Sequence, residues 1–342
     1  MYHDFNYEAT LASSLRAQWQ LDDVLRSDQD LDFSRNFMPE SLTRTAALDS
    51  LNPFEQRILN QISAHQYLSI FGIVEEFILP FLMDHARNDL REDDWRVRAL
   101  LNFASEEAKH IHLFKRFHQA FVRGFPVECQ VIGPSEDIGK EVLRHDPLAV
   151  GLVILMIEWM TQAHYLGSIR DDGDLDPLFK SLLRHHWMEE AQHAKLDTLI
   201  VEALAEGRTE QQIDRAIDEF FEIGAFLDEG LQMQAGFNLA AVRISVDRRF
   251  AAGLPLPASG DIEADERLLR VLSDRFDDFA ERGEVQAVDA ALHGIKHVVS
   301  PYQCGWFVQA NIGAASAMRS AARGESRERV ALKRSCTMPE PR

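Results

Sequence analysis

Apolar residues recur at helical spacing through the middle of the chain, and helix-start signals divide this stretch into five long elements. Three of the elements begin with an Asn-Pro or Asp-Pro pair, which places a capping side chain before a proline in the first turn. These pairs lie at 52–53, 146–147 and 176–177. The pattern predicts helices over about 53–87, 93–123, 147–170, 177–207 and 209 into the 240s.

Long helices with short connections pack as antiparallel bundles, so the pattern predicts an all-α fold. We expect an N-terminal segment of short helical stretches over 1–50 and a helical bundle over 51–250. A Gly/Pro-rich linker and further helices that pack on the bundle are predicted over 251–323, followed by a flexible polar tail over 324–342.

Charge and cysteine content narrow the class of protein. The 342-residue chain has a formal net charge of −19, and no basic stripe that would neutralise phosphates, so we expect no nucleic-acid partner. Its cysteines, Cys129, Cys304 and Cys336, are far apart, which argues against a disulfide framework or a zinc knuckle. The N-terminus has no signal-peptide pattern, and together these features favour a cytoplasmic protein.

The longest apolar run, 147–160, contains Glu158. The run is too short to cross a bilayer, so we expect a buried core helix and no membrane partner. An unpaired carboxylate in such a helix would be costly. Glu158 therefore needs a buried partner.

Two matching strings supply that partner. EEAKH at 106–110 and EEAQH at 189–193 each contain Glu-x-x-His, namely Glu107 with His110 and Glu190 with His193. Residues three apart on a helix share a face, so each pair can bind one metal ion. One such pair could arise by chance, and the context of both pairs is what discriminates.

Each Glu-x-x-His pair follows a glutamate in an apolar stretch of the preceding helix. Glu76 lies 31 residues before Glu107, and Glu158 lies 32 residues before Glu190. Two divalent ions would neutralise the four carboxylates, and mixed carboxylate and imidazole ligands suit iron or manganese better than structural zinc. The order predicts a two-ion centre in a ferritin-like four-helix bundle with additional N- and C-terminal helices.

A third histidine makes the predicted centre asymmetric. His186 lies four residues before Glu190 and falls on the same helix face as Glu190 and His193. The equivalent position in the first half is Phe103. One ion would thus receive an additional imidazole.

These residues resemble the ligand set of the p-aminobenzoate N-oxygenase family, whose members are ferritin-like di-iron arylamine N-oxygenases. The resemblance covers about residues 54–250 in architecture and is specific around the motifs. It implies seven metal ligands in this chain: Glu76, Glu107, His110, Glu158, His186, Glu190 and His193. The Glu-x-x-His pairs also occur in acyl-carrier-protein desaturases, multicomponent monooxygenases and ribonucleotide reductase small subunits, whereas His186 favours the N-oxygenases.

Several positions have rivals. Glu75 competes with Glu76 for the first ligand position, and the resemblance favours Glu76. His185 competes with His186. We expect Glu106 and Glu189 to lie off the metal face, in contacts with the ligands or at the surface.

The resemblance implies an O₂-activating oxygenase that converts an amine to a hydroxylamine, nitroso or nitro compound. The cofactor would be two iron ions, with a manganese/iron pair as the alternative, and electrons would come from an external donor. Two other functions stay open: a carbon-chain hydroxylase or desaturase on a carrier-bound or fatty substrate, and a ferritin-like iron or radical protein that is not an oxygenase. Long helix faces would also suit a homodimer.

Overall fold

The structure, a computed structural model, describes residues 3–48, 51–88, 90, 94–125 and 127–251. This part of the chain consists of helices and connections, without a β-strand, and the predicted all-α fold is confirmed. The predicted linker and helices beyond residue 251 and the tail over 324–342 lie outside the described residues.

Nine α-helices follow one another within the described part of the chain. They are α1 (Tyr7–Ala17), α2 (Leu21–Val24), α3 (Glu40–Thr43), α4 (Pro53–Asn88), α5 (Asp94–Gly124), α6 (Ser135–Leu143), α7 (Pro147–His164), α8 (Pro177–Ala205) and α9 (Glu210–Ala251). A short 3₁₀ turn, Thr45–Ala47, precedes α4, and a π-helical turn, Tyr165–Ile169, extends α7. The five long predicted helices are confirmed within a few residues.

The predicted helix starts are held by the side chains that the sequence places there. Asn52 accepts from the amide of Glu55 at 3.1 Å, and Glu55 accepts from the amide of Asn52 at 2.8 Å, which completes a capping box at α4. Asp146 accepts from the amide of Leu148, and Asp176 from that of Phe179. These bonds satisfy amides that have no partner within the helix.

The long helices form two hairpins, α4 with α5 and α7 with α8, and α9 packs against α4 and α7. The resulting architecture is a ferritin-like bundle. Helix α1 crosses α5 and α8, so the N-terminal segment lies across both hairpins. Buried phenylalanines such as Phe77, Phe103, Phe117 and Phe179 fill the space between the helices.

Polar side chains fasten the N-terminal segment to the bundle. The amide side chain of Asn60 on α4 accepts from the backbone of Phe37 at 2.9 Å and donates to the carbonyl of Met38 at 2.7 Å. Asp176 accepts from the amide of Asp32 at 2.9 Å. Since these groups are buried, each bond also satisfies a polar atom that water cannot reach.

Two segments, Pro53–Arg87 and Pro147–Ile169, are long and apolar enough to cross a bilayer by composition. Core helices of soluble proteins pass the same test, and 44% and 56% of their most apolar windows are buried inside the protein. Each segment carries a buried glutamate, Glu75 or Glu158. A common interior site explains both glutamates.

Candidate metal centre

Four helices direct acidic and imidazole side chains to one point in the bundle interior. The residues of this cluster are Glu75 on α4, Glu107 and His110 on α5, Glu158 on α7, and His186, Glu190 and His193 on α8. All seven are at most 3% exposed. The structure thus brings together six of the seven residues that the sequence predicts as ligands.

Glu76 is the exception, and the prediction at this position is wrong. Its side chain is 41% exposed and lies 3.9 Å from the Lys115 ammonium at the surface. Adjacent residues on a helix point about 100° apart, so Glu75 and Glu76 cannot share a face. Glu75 occupies the interior position, with its Oε1 atom 3.0 Å from Nε2 of His186.

The cluster divides into two overlapping groups of four. In each group the potential ligand atoms lie within 4.8 Å of one another. The first group contains Glu75, His110, His186 and Glu190, and the second contains Glu107, His110, Glu190 and His193. Each group offers enough nitrogen and oxygen donors for one transition-metal ion.

Glu190 and Glu107 each direct one oxygen towards either group. Oε1 of Glu190 lies 2.5 Å from His186 and Oε2 lies 2.8 Å from His193. Oε2 of Glu107 lies 3.4 Å from His110, and Oε1 lies 3.0 Å from His193. This arrangement suits two carboxylates that bridge a pair of ions.

The directions of these side chains fit metal ligation better than hydrogen bonding. Among the described residues, both oxygens of Glu107, Nδ1 of His110 and one oxygen each of Glu75 and Glu158 are buried without a hydrogen-bond partner. Yet Oε1 of Glu107 is only 3.0 Å from His193. Buried polar atoms are normally paired. Lone pairs that converge without pairing are what a cation would satisfy.

The charges inside the cluster are strongly coupled. Burial raises the pKa of Glu75 to about 8, and the neighbouring Glu107 carboxylate adds to this. Burial, followed by the charge of Glu190, also raises the pKa of Glu158 well above its usual range, and Glu158 shares a hydrogen bond with Glu190. Although burial opposes it, the Glu190 carboxylate raises the pKa of His186 to about 9. Without an ion, the cluster retains protons where a metal ion would compete for the same atoms.

Glu106 and Glu189 lie behind the ligands, as the sequence predicted. Glu189 accepts from Nε2 of His110 at 2.8 Å, and Glu106 accepts from Nε2 of His193 at 3.0 Å. Each glutamate therefore supports the histidine of the opposite hairpin. Carboxylates in this position fix the orientation of a ligating imidazole and increase its basicity.

The N-terminal segment also reaches the centre, which the sequence gave no signal to predict. Ser14 on α1 donates to Glu106 at 2.6 Å. The ring of Trp19 stacks against His110 with centroids 5.9 Å apart. Only the crossing of α1 over α5 and α8 reveals these contacts, because the segment lies about 90 residues away along the chain.

A small cavity adjoins the first group of ligands. It has a volume of about 90 Å³, and its lining includes Tyr67 and Phe71 of α4 and His164 of α7. The edge of Phe71 packs on His186, with centroids 5.6 Å apart. Tyr67 is close enough to Glu190 and Glu75 that, after burial, their charges raise the pKa of its phenol. The cavity therefore reaches the cluster.

Comparison with known proteins identifies the family. The model of the p-aminobenzoate N-oxygenase AurF family matches residues 12–217, which include the N-terminal contacts and every residue of the cluster. The chain belongs to the p-aminobenzoate N-oxygenase AurF family. Its members are oxidoreductases with a two-metal centre, and the donor set and unpaired buried atoms of the cluster fit such a centre.

Solved structures of R2-like ligand-binding oxidases resemble this AurF-family chain more distantly. A Tyr→Phe variant with an aerobically reconstituted Mn/Fe cofactor is 16% identical, covers 73% of this chain and 92% of its own, and has a TM-score of 0.43. A Val→Leu variant is 15% identical, covers 80% and 92%, and has a TM-score of 0.41. No curated protein sequence matches the chain.

Proposed function

We propose that this protein N-oxygenates an amine, with Glu75, Glu107, His110, Glu158, His186, Glu190 and His193 as the ligands of two iron ions. The observation that carries the proposal is the pair of overlapping buried groups, each with donor atoms within 4.8 Å, in a chain of the N-oxygenase family. A manganese/iron pair would use the same donors.

When bound, the two ions supply the O₂ activation that protein side chains cannot perform. The chain's own contribution is to hold the ions close together through Glu107 and Glu190, whose oxygens face both groups. His186 adds a neutral donor on the side of Glu75, so that ion gains a ligand without an additional negative charge. Burial of all seven side chains keeps bulk water from the reacting atoms.

The adjoining cavity is where the amine would bind. One part of its wall is apolar, with Ile70, Phe71 and Leu231, and another part is polar, with Tyr67 and His164. Nδ1 of His164 is buried without a hydrogen-bond partner among the described residues, and burial lowers the pKa of this imidazole to about 4. A neutral imidazole at the cavity wall can hydrogen-bond a polar substituent of the substrate.

Oxygenation of an amine to a hydroxylamine consumes one O₂, two electrons and two protons and releases one water. The electrons come from an external donor, for example a reduced flavoprotein or iron–sulfur protein. The proposal is tested with protein loaded anaerobically with ferrous iron, reduced, and mixed with O₂ and a panel of aromatic amines. O₂ consumption with a mass gain of one oxygen on nitrogen is expected, whereas the absence of O₂ consumption would contradict the proposal.

The panel also separates the other functions. Oxygen inserted into a carbon chain, with the amines untouched, would establish a hydroxylase, although the small cavity with polar groups in its wall favours the amine. Tyr67 lies near Glu75 and Glu190, as a radical protein would require. A stable tyrosyl radical after O₂ exposure, seen by electron paramagnetic resonance and lost in Tyr67→Phe, would establish that function instead.

A further inference from the structure

The support behind the two crossed histidine–glutamate pairs differs in charge. Glu189, which accepts from His110, has the ammonium group of Lys109 2.5 Å from its other oxygen. Glu106, which accepts from His193, receives the neutral hydroxyl of Ser14 instead. The same carboxylate–imidazole pair is thus built twice, once with a cation behind it and once without.

Lys109 is held firmly in this position. Its ammonium group donates to the carbonyl of Trp19 at 3.2 Å and lies 4.1 Å from the centre of the Trp19 ring. The side chain of Lys109 is 18% exposed, and that of Glu189 is fully buried. An ion pair this well enclosed is little screened by solvent, so its effect reaches the imidazole beyond it.

The behaviour of an imidazole ligand depends on the group that accepts its second N–H. A full carboxylate charge draws the proton away and gives the imidazole more anionic character, which stabilises the higher oxidation state of the metal. A carboxylate whose charge is shared with an ammonium group draws the proton less. His110 is therefore a weaker electron donor than His193, although both have a glutamate partner.

We propose that Lys109 is a positioning residue that acts through Glu189 on His110, makes the two ions unequal and raises the reduction potential of the ion in the Glu75–His110–His186 group. The inference rests on the metal centre and not on the identity of the substrate. The additional neutral ligand His186 lies in the same group, so both features favour the reduced state of the same ion.

The test measures the midpoint potential of the iron-loaded protein by redox titration, followed by electron paramagnetic resonance of the mixed-valent state. Lys109→Gln introduces the residue that the second hairpin has at the equivalent position, Gln192, and it is expected to lower the potential. Lys109→Arg keeps the charge and should stay near the unmodified protein. Ser14→Ala removes only a neutral donor and should shift the potential less than Lys109→Gln.

Glu189→Gln provides a prediction of opposite sign if Lys109→Gln fails to fold or to bind iron. A neutral amide draws the His110 proton less than a carboxylate does, so the potential is expected to rise. An unchanged potential in a folded Lys109→Gln protein would overturn the proposal. So would equal shifts in Lys109→Gln and Lys109→Arg, since packing and not charge would then be responsible, or a potential in Glu189→Gln that does not rise.

Discussion

The two hairpins of the bundle carry the same acidic frame in the same register but differ in the residues around it. Equivalent residue numbers differ by 83 throughout the frame: 75 and 158, 106 and 189, 107 and 190, 110 and 193. At the same shift, Phe103 corresponds to His186, Lys109 to Gln192, and Phe114 to Asp197. The frame is symmetric, and the chemistry that distinguishes the ions lies in these neighbours.

This comparison separates what builds the centre from what tunes it. Four buried carboxylates and two crossed histidine–glutamate pairs hold the ions in both halves. On one side, His186 occupies space that an aromatic ring fills on the other, where Phe103 stacks on His193 with centroids 3.9 Å apart. Changes to the frame should remove metal, whereas changes to the neighbours should alter one ion.

The largest effect is expected from the glutamates that the frame places on α4. Glu75→Ala removes a buried donor of the first group, and we expect it to lose at least one of two ions per chain, with a corresponding loss of O₂ consumption. Glu76→Ala is the matched control one position away, and its metal content should stay unchanged. Metal analysis of the two purified variants decides the register, and loss of metal from Glu76→Ala alone would reverse it.

His186→Phe makes the second hairpin resemble the first at the position that distinguishes them. The change removes an imidazole 3.0 Å from Glu75, so iron in the first group should bind at least about 10- to 100-fold more weakly. His185→Phe is the control, because His185 bonds the carbonyl of Ser181 at 2.7 Å and belongs to neither ligand group. Competition with a ferrous chelator measures the affinities, and equal losses in both variants would contradict a ligand role for His186.

Metal uptake should depend on pH because the ion-free cluster retains protons. With the pKa of Glu75 at about 8 and that of His186 at about 9, both groups are protonated at neutral pH and must release these protons to bind a metal ion. Affinity should therefore rise between pH 6 and 9 by up to about tenfold per pH unit for each proton released. Anaerobic iron binding at several pH values measures the slope, and an affinity that fell with rising pH would contradict this account.

The smallest effect is expected at Asp197, where the first hairpin has Phe114. Asp197 is 1% exposed, and neither oxygen has a hydrogen-bond partner among the described residues, so burial raises its pKa well above the usual range. The cost of burying it is present above the unfolded pKa and vanishes below it. Asp197→Asn should therefore stabilise the metal-free protein by about 1–3 kcal/mol at pH 7, with little difference near pH 4.

Thermal unfolding at the two pH values measures this difference. Asp28→Asn is a suitable control, because the Asp28 side chain is 76% exposed and the substitution should change stability little at either pH. A destabilised Asp197→Asn protein at pH 7 would show that the carboxylate has a partner that the fold itself does not supply.

The sequence was sufficient for the bundle and for most of the centre. Asn/Asp-Pro pairs defined the starts of α4, α7 and α8, and the two Glu-x-x-His pairs identified the helix faces that meet. Glu76 was wrong because the spacing was compared loosely. A separation of 32 residues holds in both hairpins if the first ligand is Glu75, and this internal repeat was the signal that could have found it.

The contacts of Ser14 and Trp19 could not be predicted in this way. They depend on how α1 crosses two helices that are distant in sequence, and short amphipathic helices carry no signal for such a crossing. The role of Lys109 was equally hidden, since a lysine beside a ligand is expected at a solvated surface. Its ion pair with a buried glutamate follows from the tertiary packing alone.

The central claim is that one chain holds two ions in the cluster on α4, α5, α7 and α8. Anaerobic titration of the metal-free protein with ferrous iron, followed by calorimetry and by the spectrum of the bound iron, tests it most directly. The account predicts saturation at two ions per chain, with one bound more tightly than the other because the two ligand groups differ. Saturation at one ion, or no binding at all, would contradict it.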